Sequence, residues 1–342
     1  MDFKDRPTAL DRAGDGTTIP INRGQGTVAP PGETYQFGYH GDGTEFFVLL
    51  LKNIVLTVLT LGIYAAWAKT ERRKYIWSHT ELHGQRLVYT GTGKEVFIAY
   101  LKLLAFYIVF GAVPLVVRRT VSEKAGTVVQ VALALVLIFI IPFAIYWSRA
   151  YLLSRTHWRG IRFGLAREGT NRYASTFILG YFLTLLTLGF YGPFWTNKLH
   201  GIMTSNTRFG SEPFRYDGRG SELFFIMLKG VLLSIITLGI YSFWMQAELS
   251  RYYLSHTEFS GARGHSEITG GFLFKVFLLH LFGTTLTLGL AFPWIATYTL
   301  REVLTRVSFH GHIDFAAITQ RAARADAGGE ALADALDVGL GI

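Results

Sequence analysis

The sequence predicts an all-α integral membrane protein built from repeated helical hairpins, about ten helices in all, with short cytoplasmic β-ribbons between them. Three observations carry this expectation. Half of the 342 residues are hydrophobic and only 17% are charged, a balance that suits lipid as the solvent. Several stretches are apolar over about 20 residues, the length that spans a ~30 Å hydrocarbon core: Phe46 to Ala68, Val96 to Val117, Val128 to Trp147, Thr176 to Trp195, Leu223 to Met245 and Phe272 to Ala296. A short motif also recurs along the chain at a near-constant interval, which marks a duplication.

Taken in order, the N-terminal stretch carries acidic residues and no apolar core. No cleaved signal peptide is expected there, and residues 1–34 should be a disordered arm. Residues 35–320 should form the repeat-built transmembrane domain. Residues 321–342, small and polar, should be a flexible tail. The chain has no cysteine, which excludes thiol catalysis, disulfides and thiolate metal sites. A net charge of +9 reads, in a membrane protein, as basic loops facing an anionic leaflet rather than as a nucleic-acid surface. The expected partners are therefore membrane lipids with anionic headgroups.

The recurring motif is LTLGIY at Leu59 to Tyr64, LTLGFY at Leu186 to Tyr191, ITLGIY at Ile236 to Tyr241 and LTLGLA at Leu286 to Ala291; Gly189, Gly239 and Gly289 are 50 residues apart. A second motif, Ser/Thr-x-Thr/Val followed by a glycine, begins at Ser78, Ser154, Ser205, Ser255 and Thr305. Between Ser78 and Ser154 lie two apolar spans joined by a charged loop, Arg118 to Thr127. That unit crosses the membrane twice, so in the other units Leu-Thr-Leu-Gly reads as a tight turn with glycine ending the first helix. The alternative is six single spans. Charge favours the hairpins: with single spans the basic loops divide almost evenly between the two sides, whereas with hairpins only Arg118, Arg119 and Lys124 face outward.

Trp67, Trp244 and Trp294 each follow a turn glycine by five residues, a depth that suits either an interfacial aromatic belt or ordinary packing. The polar stretches after each Ser-x-Thr motif, such as Thr80 to Gly91 and Thr207 to Gly218, read as short ribbons that pair into a small sheet or remain separate loops.

Phe37, Gly41, Gly43 and Phe46 leading into LTLGIYAAW, then ERRKYIW and the run Ser78 to Leu87, resemble the bacterial YjgN family, domain of unknown function 898. The resemblance covers roughly Tyr35 to Phe315. It implies an inner-membrane location and supplies no chemistry. The very short turns between most helix pairs depart from the family's pattern.

No constellation in the sequence points to a reaction. Gly91-Thr92-Gly93-Lys94-Glu95 lacks phosphate-loop spacing and suits a helix start with an acid near its N-terminus. His79 and His83 have an i, i+4 spacing but no third ligand of obvious type. No catalytic residue, cofactor or metal site is expected, and the chain is read as not an enzyme. The sharpest signal is charge inside apolar spans, which is costly and usually paired or functional. Lys52, Lys102, Lys229 and Lys275 are such positions. Counted from the turn glycines, Lys52 is level with Glu71, Lys229 with Glu248 and Lys275 with Glu302, whereas Lys102 has no acidic counterpart in its partner span. Transport or permeation of an ion or anionic solute is the leading expectation. The rival is a non-transporting scaffold that binds anionic lipid or a partner through a basic cytoplasmic face.

Overall fold

The computed structural model describes residues 33–315, 317 and 318. The expected tail at 321–342 lies outside them, as does the arm at 1–34 except for Glu33 and Thr34. In chain order the elements are β1 (Thr34–Tyr39), α1 (Gly43–Leu59), α2 (Ala65–His79), β2 (Thr80–Leu82), β3 (Gln85–Arg86), β4 (Val88–Tyr89), α3 (Gly93–Thr120) and α4 (Glu123–Ser154). They continue with β5 (Thr156–Trp158), β6 (Ile161–Leu165), α5 (Gly169–Leu186), α6 (Gly192–Asn206), β7 (Thr207–Phe209) and β8 (Glu212–Tyr216). The last are α7 (Gly220–Ile236), α8 (Ser242–Ser255), β9 (Thr257–Phe259), β10 (Ala262–Ser266), α9 (Gly270–Leu286), α10 (Phe292–Leu304) and β11 (Val307–His310).

Each Ser-x-Thr motif is where a helix ends and a strand begins. The serine hydroxyl donates to the carbonyl three residues back and the threonine hydroxyl to the one four residues back, as in Ser78 to Tyr75, Thr80 to Ile76, Ser255 to Tyr252 and Thr257 to Tyr253. These bonds occupy carbonyls that the helix end leaves without partners.

The strands overturn the expected all-α class. They form one eleven-stranded antiparallel sheet in the order β3-β2-β1-β11-β10-β9-β8-β7-β6-β5-β4. Its two outer strands, β3 and β4, are separated in sequence only by Leu87, so the row is nearly closed. The step that makes this possible is the pairing of β1 with β11, which sets Thr34 opposite His310 and Tyr35 opposite Phe309. One face of the sheet carries the main apolar core, with Tyr35, Trp158, Phe209, Phe259 and Ala262 buried and Ile313 and Ile318 packed in from beyond β11. Cross-strand pairs such as Phe163 with Phe209 and Phe214 with Phe259 bring these rings together.

The expected spans need a second correction, which also removes the alternative of six single spans. Among the described residues only α3, with 28 residues, and α4, with 32, combine the length and apolar character needed to cross a membrane. The other apolar runs are each broken by a turn, leaving helices of 13 to 18 residues.

Each helix packs on its predecessor and its successor, and α10 packs on α1, so the ten helices close a ring. An aromatic-on-glycine joint recurs between successive pairs. Trp67 sits on Gly93, Phe194 on Gly220, Trp244 on Gly270 and Trp294 on Gly43, in each case so closely that a Cβ on the glycine would collide with the ring. The three tryptophans therefore serve as packing groups at the joints. Gly91-Thr92-Gly93-Lys94-Glu95 also becomes legible: Thr92 and Glu95 form a reciprocal capping box that opens α3.

Candidate membrane-embedded site

The four Leu-Thr-Leu-Gly turns share one hydrogen-bond scheme. The threonine hydroxyl (Thr60, Thr187, Thr237, Thr287) donates to the carbonyl four residues back. It also accepts from the backbone N–H four residues on, at Tyr64, Tyr191, Tyr241 and Ala291. The glycine N–H returns to the carbonyl five residues back, at Thr57, Thr184, Ser234 and Thr284. The leucine before each glycine has φ of 51° to 53°, and the glycine φ lies between 90° and 96°. Left-handed leucine is strained, yet Leu61, Leu188, Leu238 and Leu288 are 95%, 90%, 94% and 92% exposed. A turn whose N–H groups are all bonded internally, with a bare leucine at its apex, meets the condition that a medium without hydrogen bonds would impose.

The charged positions lie along the same helix pairs. Lys52 Nζ is 2.8 Å from Glu71 Oε2, joining α1 to α2, and Lys229 Nζ is 2.7 Å from Glu248 Oε1, joining α7 to α8. In the first pair Glu71 also accepts from the Tyr64 hydroxyl at 2.9 Å. The third expected partnership is not formed. Lys275 donates to the Tyr298 hydroxyl at 3.2 Å, while Glu302 pairs with Arg306 one helical turn away at 2.6 Å. Tyr298 occupies the position, nine residues after the turn glycine, that Glu71 and Glu248 hold in their pairs, so Lys275 finds a neutral acceptor there. Lys102 lies in the first half of α3 and is partly buried. His79 bonds through Nδ1 to the Tyr75 carbonyl, and His83 meets the Tyr35 ring edge-on, so the structure does not bring the two together as ligands.

At the sheet end of the helices, several basic and amide side chains bond the segment that leads into the next helix pair. Arg301 donates to the carbonyls of Tyr39 and Gly41, Arg251 to that of Ile268 and Asn197 to that of Gly218. Arg155 pairs with Glu95 at 2.6 Å. Part of the basic character read as a lipid-facing surface is therefore structural. No residue pattern marks this role, because it depends on which loop each side chain reaches.

The profile of one family, described as bacterial protein of unknown function (DUF898), matches residues 34–218, 211–265 and 245–335. The chain belongs to this family. It is 33% identical over 130 residues to the inner membrane protein YjgN of Escherichia coli K12, covering 38% of this chain and 31% of that protein. It is 29% identical over 178 residues to the same-named protein of Escherichia coli O157:H7, covering 51% and 41%, and 34% identical over 126 residues to that of Salmonella typhimurium, covering 37% and 30%. The chain thus spans between 30% and 41% of the length of these relatives. No solved structure matches it. Family membership and the names of these relatives place the chain in the bacterial inner membrane.

Proposed function

We propose that the protein is a multi-pass scaffold of the inner membrane that holds anionic lipid and does not conduct solutes. In this reading α3 and α4, ~42 and ~48 Å long at 1.5 Å per residue, cross the bilayer. The four shorter pairs enter from the cytoplasmic side and turn back inside it, and the sheet lies against the cytoplasmic face. The observation that carries the reading is the depth of the short pairs. From Lys52 to the apex Leu61, and from Lys229 to Leu238, is nine residues, or ~13 Å, about half of a ~30 Å hydrocarbon core. A pair whose charges sit at the interface reaches the bilayer midplane and stops there.

Conduction of an ion or anionic solute is the other reading. Two features favour the scaffold over it: the Lys52 and Lys229 charges are already neutralised by carboxylates, and the interior of the sheet is lined by apolar, largely aromatic side chains that offer an ion no polar partner. The test is reconstitution of the full chain in vesicles. The scaffold reading expects co-purified lipid enriched in anionic headgroups and anion flux no greater than in protein-free vesicles. Flux above that background, lost in Lys102→Met, would overturn it.

A further inference from the structure

The four short helix pairs can be superposed in sequence on their turn glycines, and one of them departs from the others at four positions. Nine residues before the glycine, α5 and α7 carry Gly180 and Gly230, and six residues after it, α6 and α8 carry Trp195 and Met245. In each pair the large side chain rests on the glycine so closely that a Cβ there would collide with it. In the α9–α10 pair the corresponding residue is His280, which bonds the Thr299 hydroxyl at 3.2 Å. The α1–α2 pair holds Asn53 and Ala68 at these places. With alanine where the others have tryptophan, methionine or isoleucine, nothing fills the space between the helices.

What remains is a groove of about 450 Å³ among α1, α2 and the start of α3. Its polar lining is Asn53, Thr57, Lys69, Arg72 and Tyr100. The two cations are also peculiar to this pair: the positions of Lys69 and Arg72 are Thr196 and Leu199 in α6, Gln246 and Leu249 in α8, and Ala296 and Thr299 in α10. Among the described residues no carboxylate lies within ion-pair distance of Arg72. Asn53 is 4% exposed, and neither its amide nitrogen nor its oxygen has a hydrogen-bond partner among the described residues. An unbonded buried amide is costly, of the order of 1 to 3 kcal/mol, and this one lines the groove. Toward the turn the lining becomes apolar, with Ile54, Val58 and Ala65.

From this we infer that the groove is a binding site for an anionic amphiphile, a phosphate-bearing lipid. The phosphate oxygens pair with Lys69 and Arg72 and meet the Asn53 amide, and the acyl chain follows Ile54 and Val58 toward the bilayer midplane. A fork of donors beside a point cation suits phosphate, and an apolar channel continuing from the charge suits a lipid better than a free anion. The inference rests on the scaffold reading and deepens it by naming where the lipid is held.

The test uses the full-length protein in neutral detergent, titrated with phosphatidylglycerol, with phosphatidylcholine and with inorganic phosphate, and binding read by native mass spectrometry and thermal shift. Phosphatidylglycerol should bind in preference to the other two. Lys69→Gln/Arg72→Gln should weaken it by about tenfold or more, the loss expected for two charge-assisted contacts. Ala68→Met, which installs the side chain that fills the same space beneath α8, should abolish it with folding retained. Lys198→Gln, in a different pair, should leave it unchanged. If phosphatidylglycerol binds equally to wild type, the double variant and Ala68→Met, the groove assignment falls while the scaffold reading stands. If inorganic phosphate binds as tightly as the lipid, the site is for a soluble anion and the inference is wrong. If no anionic lipid binds at all, both readings fall.

Discussion

Lys229 Nζ lies 2.7 Å from Glu248 Oε1 and ties α7 to α8 about 13 Å from the turn at Leu238. Each partner is level with the other because the turn glycine at 239 is nearly equidistant from both in sequence, ten residues one way and nine the other. At the membrane interface, where this half-exposed pair sits, a charge left without its partner costs about 1 kcal/mol or less. Lys229→Met should therefore destabilise the protein by about that much, and Lys229→Met/Glu248→Leu by far less. Thermal unfolding in vesicles decides it; equal losses in the single and double variants would show that the two residues are not coupled.

The turn threonines are open to the same kind of test. In Thr237→Val the Tyr241 N–H loses its acceptor and the Leu233 carbonyl its extra donor. A cost of about 1 to 2 kcal/mol is expected. Thr237→Ser keeps the hydroxyl and should stay close to wild type. A valine variant as stable as the serine variant would mean that the hydroxyl bridge adds nothing.

These two features were legible in the sequence for a physical reason. A tight turn between antiparallel helices needs a residue free to take positive φ, and glycine marks it. Once the turn is placed, the level of every residue on the two helices follows by counting, which brought Lys52 to Glu71 and Lys229 to Glu248. The same counting failed for Lys275 and Glu302, because level does not choose a partner when Arg306 stands one turn below Glu302 and Tyr298 faces the lysine. The short ribbons were legible, but the single eleven-stranded sheet they build was not. Its strands are two to six residues long, too short to fix a register, and the pairing on which its near-closure depends joins Thr34 to His310 across almost the whole described chain. The groove was hidden differently, since Asn53 and Ala68 are unremarkable until they are set against Gly180 with Trp195 and Gly230 with Met245.

Closure of the helix ring depends on the joint between Trp294 and Gly43. Gly43→Ala places a methyl group into the indole and should cost about 1 to 3 kcal/mol through overpacking. Adding Trp294→Leu should recover part of the loss. If Gly43→Ala is silent in thermal unfolding, α1 and α10 do not meet as described.

His200, at the sheet end of α6 and outside the two long helices, sits between the rings of Tyr216 and Tyr253 at 4.9 and 4.3 Å. Burial, with Arg149 nearby, lowers its pKa to about 4. The unfolded chain, with a histidine pKa near 6.5, then binds the proton more readily than the folded one, so stability rises with pH across this interval. Relative to neutral pH, stability should fall from about pH 6.5 downward and level off below about pH 4, with a total of the order of 3 kcal/mol for this group. His200→Phe should flatten that part of the profile. An unchanged slope between pH 6.5 and 4 would assign it to other groups.

In the proposed topology two helices cross the membrane while the other eight turn back within it, leaving the whole sheet on the cytoplasmic side. Single cysteines introduced into this cysteine-free chain test it directly, through labelling of intact cells and of inverted vesicles with a membrane-impermeant maleimide. Ser122, at the turn between α3 and α4, should label only from outside, and Ser211 and Ser260, in the ribbons, only from the cytoplasmic face. Leu188 and Leu238, at the turn apices, should label from neither side. Labelling of the apex cysteines from outside as readily as Ser122 would mean that the short pairs also traverse the bilayer, and labelling of the ribbons from opposite sides would contradict a single cytoplasmic sheet.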